Sequence, residues 1–167
     1  MPSVSLDLGC GRRPKNHFNA DIVCGIDVRD DVANNIIKAD LIIEPIPFPD
    51  NYFDFVTAHD FLEHIPRLLY CPNRRLPFVE LMSEIYRVLK PNGFFFSQTP
   101  AFPHGQAFCD PTHVNIITEQ TFPLYFDDNN NWAVIYGFVG AFKITNQRWN
   151  NFHLETTMSK SLIPNHV

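Results

Sequence analysis

The sequence predicts an α/β protein built on a mostly parallel β-sheet, and three observations carry that prediction. Short apolar runs bounded by turn residues recur along the chain, as buried strands do. Segments of helical or crossover length separate them, which is the spacing parallel strands require. The first run ends at once in a Gly-x-Gly turn. At 167 residues the chain is long enough for one domain with its own core and too short for two ordinary ones. Residues 1–167 are therefore expected to form a single unit.

The elements follow in order. Residues 3–8 read as a buried strand that stops at Gly9-Cys10-Gly11. Residues 21–28 give a second strand ending in Asp27, with room before it for no more than a short helix. A weaker third strand lies around residues 36–41, and residues 53–58, rich in Phe and Val, form a fourth. Phe78, Leu81, Met82, Ile85, Val88 and Leu89 share one face of a helix over residues 75–89. Pro91-Asn92-Gly93 ends it. Residues 94–99 are a fifth strand closed by Pro100. Thr118 caps a short helix over residues 118–126, with Glu119 and Gln120 in its first turn. Asp-Asp-Asn-Asn-Asn over residues 127–131 is a turn. Two aromatic strand-like stretches, residues 132–145 and 152–158, finish the chain as an antiparallel edge.

Composition narrows the function classes. Hydrophobic residues at 45% and charged residues at 19% are globular values, which set aside a disordered or fibrous chain. The net charge is −5 with scattered Lys and Arg, so nucleic acid is not expected as a partner: its binders carry a basic face. Cys10, Cys24, Cys71 and Cys109 show no CxxC spacing, which leaves reduced thiols in a cytoplasmic protein as the expectation. No charged leader precedes an apolar stretch, and no apolar run approaches the ~18–20 residues of a membrane span. No membrane partner is expected.

The chemistry begins at the strand ends. Gly9 and Gly11 let backbone approach a ligand at the carboxyl end of the first strand, where ligands of open α/β sheets sit. A Gly-x-Gly alone is as often a structural turn. Asp27 ends the second strand, where a carboxylate accepts both hydroxyls of a ribose. Asp40 ends the third, beside the place of an adenine amino group. Either aspartate alone would be a solvated turn residue; three such positions at successive strand ends are much less expected by chance.

Leu6 to Gly11, Gly25-Ile26-Asp27-Val28, residues 48–56 (Phe-Pro-Asp-Asn-Tyr-Phe-Asp-Phe-Val) and residues 84–93 (Glu-Ile-Tyr-Arg-Val-Leu-Lys-Pro-Asn-Gly) resemble the successive motifs of class I S-adenosylmethionine (SAM)-dependent methyltransferases, in the small-molecule, type 11-like branch. The resemblance runs from about Leu6 to Phe122 with the motifs in family order. It implies a compact three-layer Rossmann-like fold with a seven-stranded-type, mostly parallel sheet. It also implies SAM as cofactor, with Asp7, Gly9 and Gly11 around its methionine part, Asp27 and Val28 at the ribose, and Asp40 with Leu41 at the adenine. His59 is expected to line the same pocket. A nicotinamide enzyme is the rival Rossmann reading, but the loop continues Arg12-Arg13-Pro14 and lacks the third glycine. The same Arg-Arg-Pro departs from the methyltransferase pattern, which has a small residue there.

His59-Asp60-Phe61-Leu62-Glu63-His64 follows the fourth strand directly. If a helix starts there, Asp60, Glu63 and His64 share one face. Such oxygen and nitrogen donors suit Mg²⁺ or Mn²⁺, with His113 of Asp110-Pro111-Thr112-His113 as a fourth ligand. This set resembles the metal-dependent 2'-O-methyltransferases of small RNAs and, over its first three residues, the ubiquinone-pathway O-methyltransferases, with Asp60 where those have Glu. The plain alternative is that Glu63 and His64 cap, pair or pack without metal. A hydroxyl acceptor must lose its proton, and His64 is the first choice of base, His113 the second. His104 reads as an exposed loop residue.

Sixteen Phe, five Tyr and two Trp mostly fill the core; Phe102, Phe108, Phe122, Tyr125 and Phe126 read either as a wall over an acceptor site or, equally well, as satellite core packing. The acceptor is expected to be a small molecule, methylated on oxygen rather than nitrogen or carbon. A homodimer is compatible with the sequence. The alternatives are a divalent-metal-dependent 2'-O- or catechol-type enzyme and a non-catalytic SAM-binding protein.

Overall fold

The computed structural model describes residues 1–29, 31–70 and 72–162; Cys71, counted above among the reduced thiols, lies outside them. Seven strands form one sheet: β1 (Val4–Leu8), β2 (Ile22–Asp27), β3 (Ile36–Lys38), β4 (Phe53–His59), β5 (Leu89–Pro100), β6 (Phe142–Asn150) and β7 (His153–Lys160). Their order is β3-β2-β1-β4-β5-β7-β6. The first five are mutually parallel, and β7 runs antiparallel to both β5 and β6. The sheet is thus mixed, as the hairpin-like ending predicts. The strand order reverses between β1 and β4, and ligands of open α/β sheets bind beyond the carboxyl ends at such a switch point.

One sheet face carries the core. Leu6, Leu8, Val56, Ala58 and Phe95 are buried there in one cluster with Phe78, Leu81, Met82, Ile85 and Val88 of helix α1 (Pro77–Val88). The helix starts with Pro at its first position, where a missing N–H costs nothing. It ends at Leu89, whose extended backbone passes straight into β5. The expected stop at Pro91-Asn92-Gly93 is instead an irregularity inside the strand pairing, with Asn92 at φ +62°.

The opposite face bears Ser5, Asp7 and Thr57, all buried. An irregular segment between β1 and β2 covers it, not a helix: His17 stacks on Phe96 at 3.7 Å and Phe18 on Phe55 at 4.5 Å. Two flat rings there exclude water where a helix would not fit. Helix α2 (Gln106–Cys109) and helix α3 (Thr121–Tyr125) lie in the long β5–β6 connection. The strand expected over residues 132–145 divides. Residues Trp132–Tyr136 form a 3-10 turn between Asn131 and Gly137, both with positive φ, and the strand starts at Phe142. The residues are strand formers, but the flanking left-handed positions turn the chain. No described helix is long and apolar enough to cross a membrane.

Candidate cofactor and catalytic site

A cavity of about 260 Å³ opens at the carboxyl ends of β1, β2 and β3. Gly9, Asp27, Val28, Asp40 and Leu41 line it, as do Asp60, Phe61 and His64 from the turn after β4. Its wall therefore holds three carboxylates, suited to hydroxyl and amino donors and to a cationic centre. Ile26, Ala39, Ile42 and Ile65 supply its apolar surface. Asp7, Gly11 and His59 do not line this cavity.

Asp7 and Gly11 instead hold the loop in shape. The buried Asp7 carboxylate accepts from the Lys15 amide (2.8 Å) and the Thr57 hydroxyl (2.7 Å), and His59 Nδ1 lies 3.2 Å away. The Gly11 amide donates to Asp27 Oδ2 at 2.9 Å, tying the glycine turn to the end of β2. Asp27 Oδ1 also accepts from the Arg29 amide and guanidinium. Burial works to raise the pKa of Asp27, but these bonds from Arg29 and Gly11 outweigh it and hold the carboxyl below its usual value. Asp27 is thus an ionised acceptor at the cavity wall. Asp40 caps its own turn, with Oδ1 accepting from the Ile42 amide at 3.1 Å.

The turn after β4 differs from the helix start expected there. Asp60 has φ +49°, and a 3-10 turn spans Leu62–His64. Asp60 consequently turns away from Glu63 and pairs with His153 Nε2 of β7 at 2.8 Å. The group that does converge is Glu63, His64 and His113, whose potential ligand atoms all lie within 4.8 Å of one another. Glu63 is 1% exposed; its Oε2 accepts from the Thr99 hydroxyl at 2.7 Å, while Oε1 is buried with no partner among the described residues. Burial holds this carboxyl above its usual pKa. His113 Nδ1 is likewise buried without a partner among the described residues.

His64 has a defined tautomer. The Thr112 hydroxyl donates to Asp110 Oδ1 at 2.6 Å, so toward His64 it acts as acceptor. His64 Nδ1 lies 3.0 Å from that hydroxyl and 3.3 Å from the Thr112 carbonyl, both acceptors. Nδ1 therefore carries the proton, and Nε2 presents its lone pair. Thr99, Thr112 and Asn115 support this group, and Phe61 walls the cavity. Thr99 and Asn115 lie in no sequence motif, because their roles arise from contacts far apart in the chain; Phe61 and Thr112 lie in the stretches around His64 and His113 without being marked out there. His153 is equally silent in sequence.

The sheet order and the glycine turn at the switch point define an α/β fold of the methyltransferase type. A search against family profiles matches residues 6–97 to the type 11 family described as "Methyltransferase domain". The chain belongs to that family, and with it to the SAM-dependent methyltransferases. A search of curated proteins finds no match. Among solved structures, a SAM-dependent methyltransferase from Archaeoglobus fulgidus superposes with TM-score 0.61 at 19% identity, covering 95% of this chain and 86% of that one. One from Aquifex aeolicus gives 0.60 at 14%, covering 95% and 82%. The complex of the Haloferax volcanii Trm112 methyltransferase activator with its putative methyltransferase gives 0.60 at 14%, covering 96% and 83%. These likenesses establish the fold.

Proposed function

We propose that this chain, as a single cytoplasmic methyltransferase unit over residues 1–167, binds SAM in the cavity beside Gly9 and methylates a small molecule on oxygen. The observation that carries the reading is the placement of Asp27 and Asp40 on one cavity wall with Gly9. Asp27 receives the ribose hydroxyls, Asp40 and Leu41 the adenine, and Asp7 and Gly11 keep the loop open to the ligand. SAM supplies a methyl group already activated on a sulfonium, so alignment of the acceptor is the main task. His64 Nε2 takes the acceptor's hydroxyl proton, with Nδ1 anchored by Thr112 and Asp110. His113, 4.9 Å from His64 between ring centres, is the second candidate base. A single-turnover assay with methyl-labelled SAM against alcohols, phenols, amines and carboxylic acids tests it. Label on hydroxyl acceptors supports the reading, and label on amines alone contradicts oxygen transfer.

A second reading is favoured by the two orphaned atoms, Glu63 Oε1 and His113 Nδ1. Glu63, His64 and His113 each offer one donor atom to an oxygen–nitrogen set that fits Mg²⁺ or Mn²⁺, which there would polarise an acceptor hydroxyl. Asp60, also expected as a ligand, is engaged by His153. Thermal unfolding with and without MnCl₂ tests this reading. A shift abolished by Glu63→Gln supports a metal, and no shift removes it.

A further inference from the structure

A second, larger cavity of about 410 Å³ lies on the far side of the same turn. It is within the roughly 300–1,000 Å³ range of small-molecule sites. His64 and Ile65 line the cofactor cavity while Arg67 and Leu68 line this one, so a five-residue stretch forms the wall between them. Its body is apolar: Val79 of α1, Leu124 and Tyr125 of α3, and Tyr136 of the following 3-10 turn face it. Tyr125 and Tyr136 stand nearly parallel, 6.4 Å apart and 28° between planes, as a flat wall.

The charged groups at this cavity are all of one sign. Arg67 and Arg74 line it, and no described aspartate or glutamate does. Arg67 donates to Asn115 Oδ1 at 2.6 Å and to the Ile116 carbonyl, both uncharged acceptors. Arg74 has no hydrogen bond or ion pair with a described residue. Both arginines are exposed at the cavity rim and neither pairs with a described carboxylate; beside an apolar chamber they complement an anion carried on an apolar body. The cofactor cavity has the reverse character, three carboxylates suited to a cationic ligand.

Position links this cavity to the chemistry. Asn115, which Arg67 holds, donates its amide to the Glu63 carbonyl at 2.9 Å and its side-chain nitrogen to the Leu62 carbonyl at 3.0 Å. The guanidinium is thereby fixed against the turn that carries Glu63 and His64. The geometry points to this cavity as a binding site for an amphiphilic anion, a phosphate or carboxylate on an alkyl or aromatic body, held by Arg67 and Arg74 behind the turn that carries Glu63 and His64. This inference rests on the cavity alone and not on the methyl-transfer reading.

Calorimetric titration of the full chain with n-octyl phosphate tests this, with and without saturating S-adenosylhomocysteine. One-to-one binding is expected, with n-octanol and inorganic phosphate each at least about tenfold weaker. Octanoate in a parallel titration distinguishes a carboxylate from a phosphate head, and Arg74-dependent binding of either supports the site. Arg74→Gln, at a side chain with no hydrogen bond or ion pair to a described residue, should weaken octyl phosphate about fivefold or more. Val79→Trp, which narrows the chamber, should do the same. Both variants should bind S-adenosylhomocysteine within about twofold of the parent. Octanol binding as tightly as octyl phosphate overturns the inference, as does undiminished binding to Val79→Trp. Binding of S-adenosylhomocysteine with no binding of either octyl anion overturns it while leaving the cofactor reading intact. Arg74-dependent binding of octyl phosphate without S-adenosylhomocysteine binding supports the ligand chemistry and overturns the cofactor reading.

Discussion

The Phe61 ring lies directly against Gly9: a Cβ at Gly9 would sit 2.2 Å from Phe61 Cδ2. Gly9 also has φ +61°, a left-handed conformation that side-chain-bearing residues adopt at a cost. The first turn of the sheet and the turn after β4 are thus fitted to each other across the cavity mouth. Gly9→Ala should lose about 1–3 kcal/mol of stability in urea unfolding and most of its SAM affinity. Wild-type values for both would break this link.

Asp27→Ala should weaken SAM and S-adenosylhomocysteine by about 30- to 100-fold, since a buried pair of hydroxyls loses a charged acceptor. Unchanged affinity would show that the end of β2 is not the ribose site.

The same residue sets a pH dependence. Its folded pKa lies below the ordinary 3.8, because the Arg29 and Gly11 bonds outweigh burial. A depressed acid contributes stability above its unfolded pKa and loses it as pH falls through the folded value. Wild type should therefore exceed Asp27→Asn in stability at pH 7, with the gap narrowing as the solution is acidified below the ordinary 3.8. Urea midpoints before and after acidification measure it; a gap that widens on acidification contradicts the assignment.

His64→Ala should leave SAM affinity within about threefold and reduce turnover about 100-fold. His113→Ala separates first from second candidate base. Equal loss in both would indicate that the pair acts together, and unchanged turnover in His64→Ala excludes it as base.

Asp60→Asn should cost no more than about 1 kcal/mol, because its pair with His153 is partly exposed. Any Mn²⁺-induced thermal shift should survive in Asp60→Asn and vanish in Glu63→Gln. Loss in Asp60→Asn would mean that its carboxylate leaves His153 to join the metal group.

The strands and the main helix were legible because each carries its own periodicity and turn residues, from Leu6–Leu8 before Gly9 to the Phe78–Val88 face. Conformation set by a single left-handed residue was not. Asp60 at φ +49° delays the turn to Leu62 and redirects its carboxylate to His153, where helical spacing predicted Asp60 beside Glu63. Asn131 and Gly137 likewise bend Trp-Ala-Val-Ile-Tyr out of the strand its composition favours. Of the strand-end residues that spacing singles out, Gly9, Asp27 and Asp40 line one cavity and Gly11 does not. Asp7 and His59 point to the other sheet face, which alternation along β1 and β4 determines.

The most direct test of the account is calorimetric titration of the purified chain with SAM and S-adenosylhomocysteine, alongside Asp27→Ala. Micromolar, one-to-one binding of both, largely lost in the variant, is the predicted result. Failure of both nucleosides to bind the wild-type protein would contradict it.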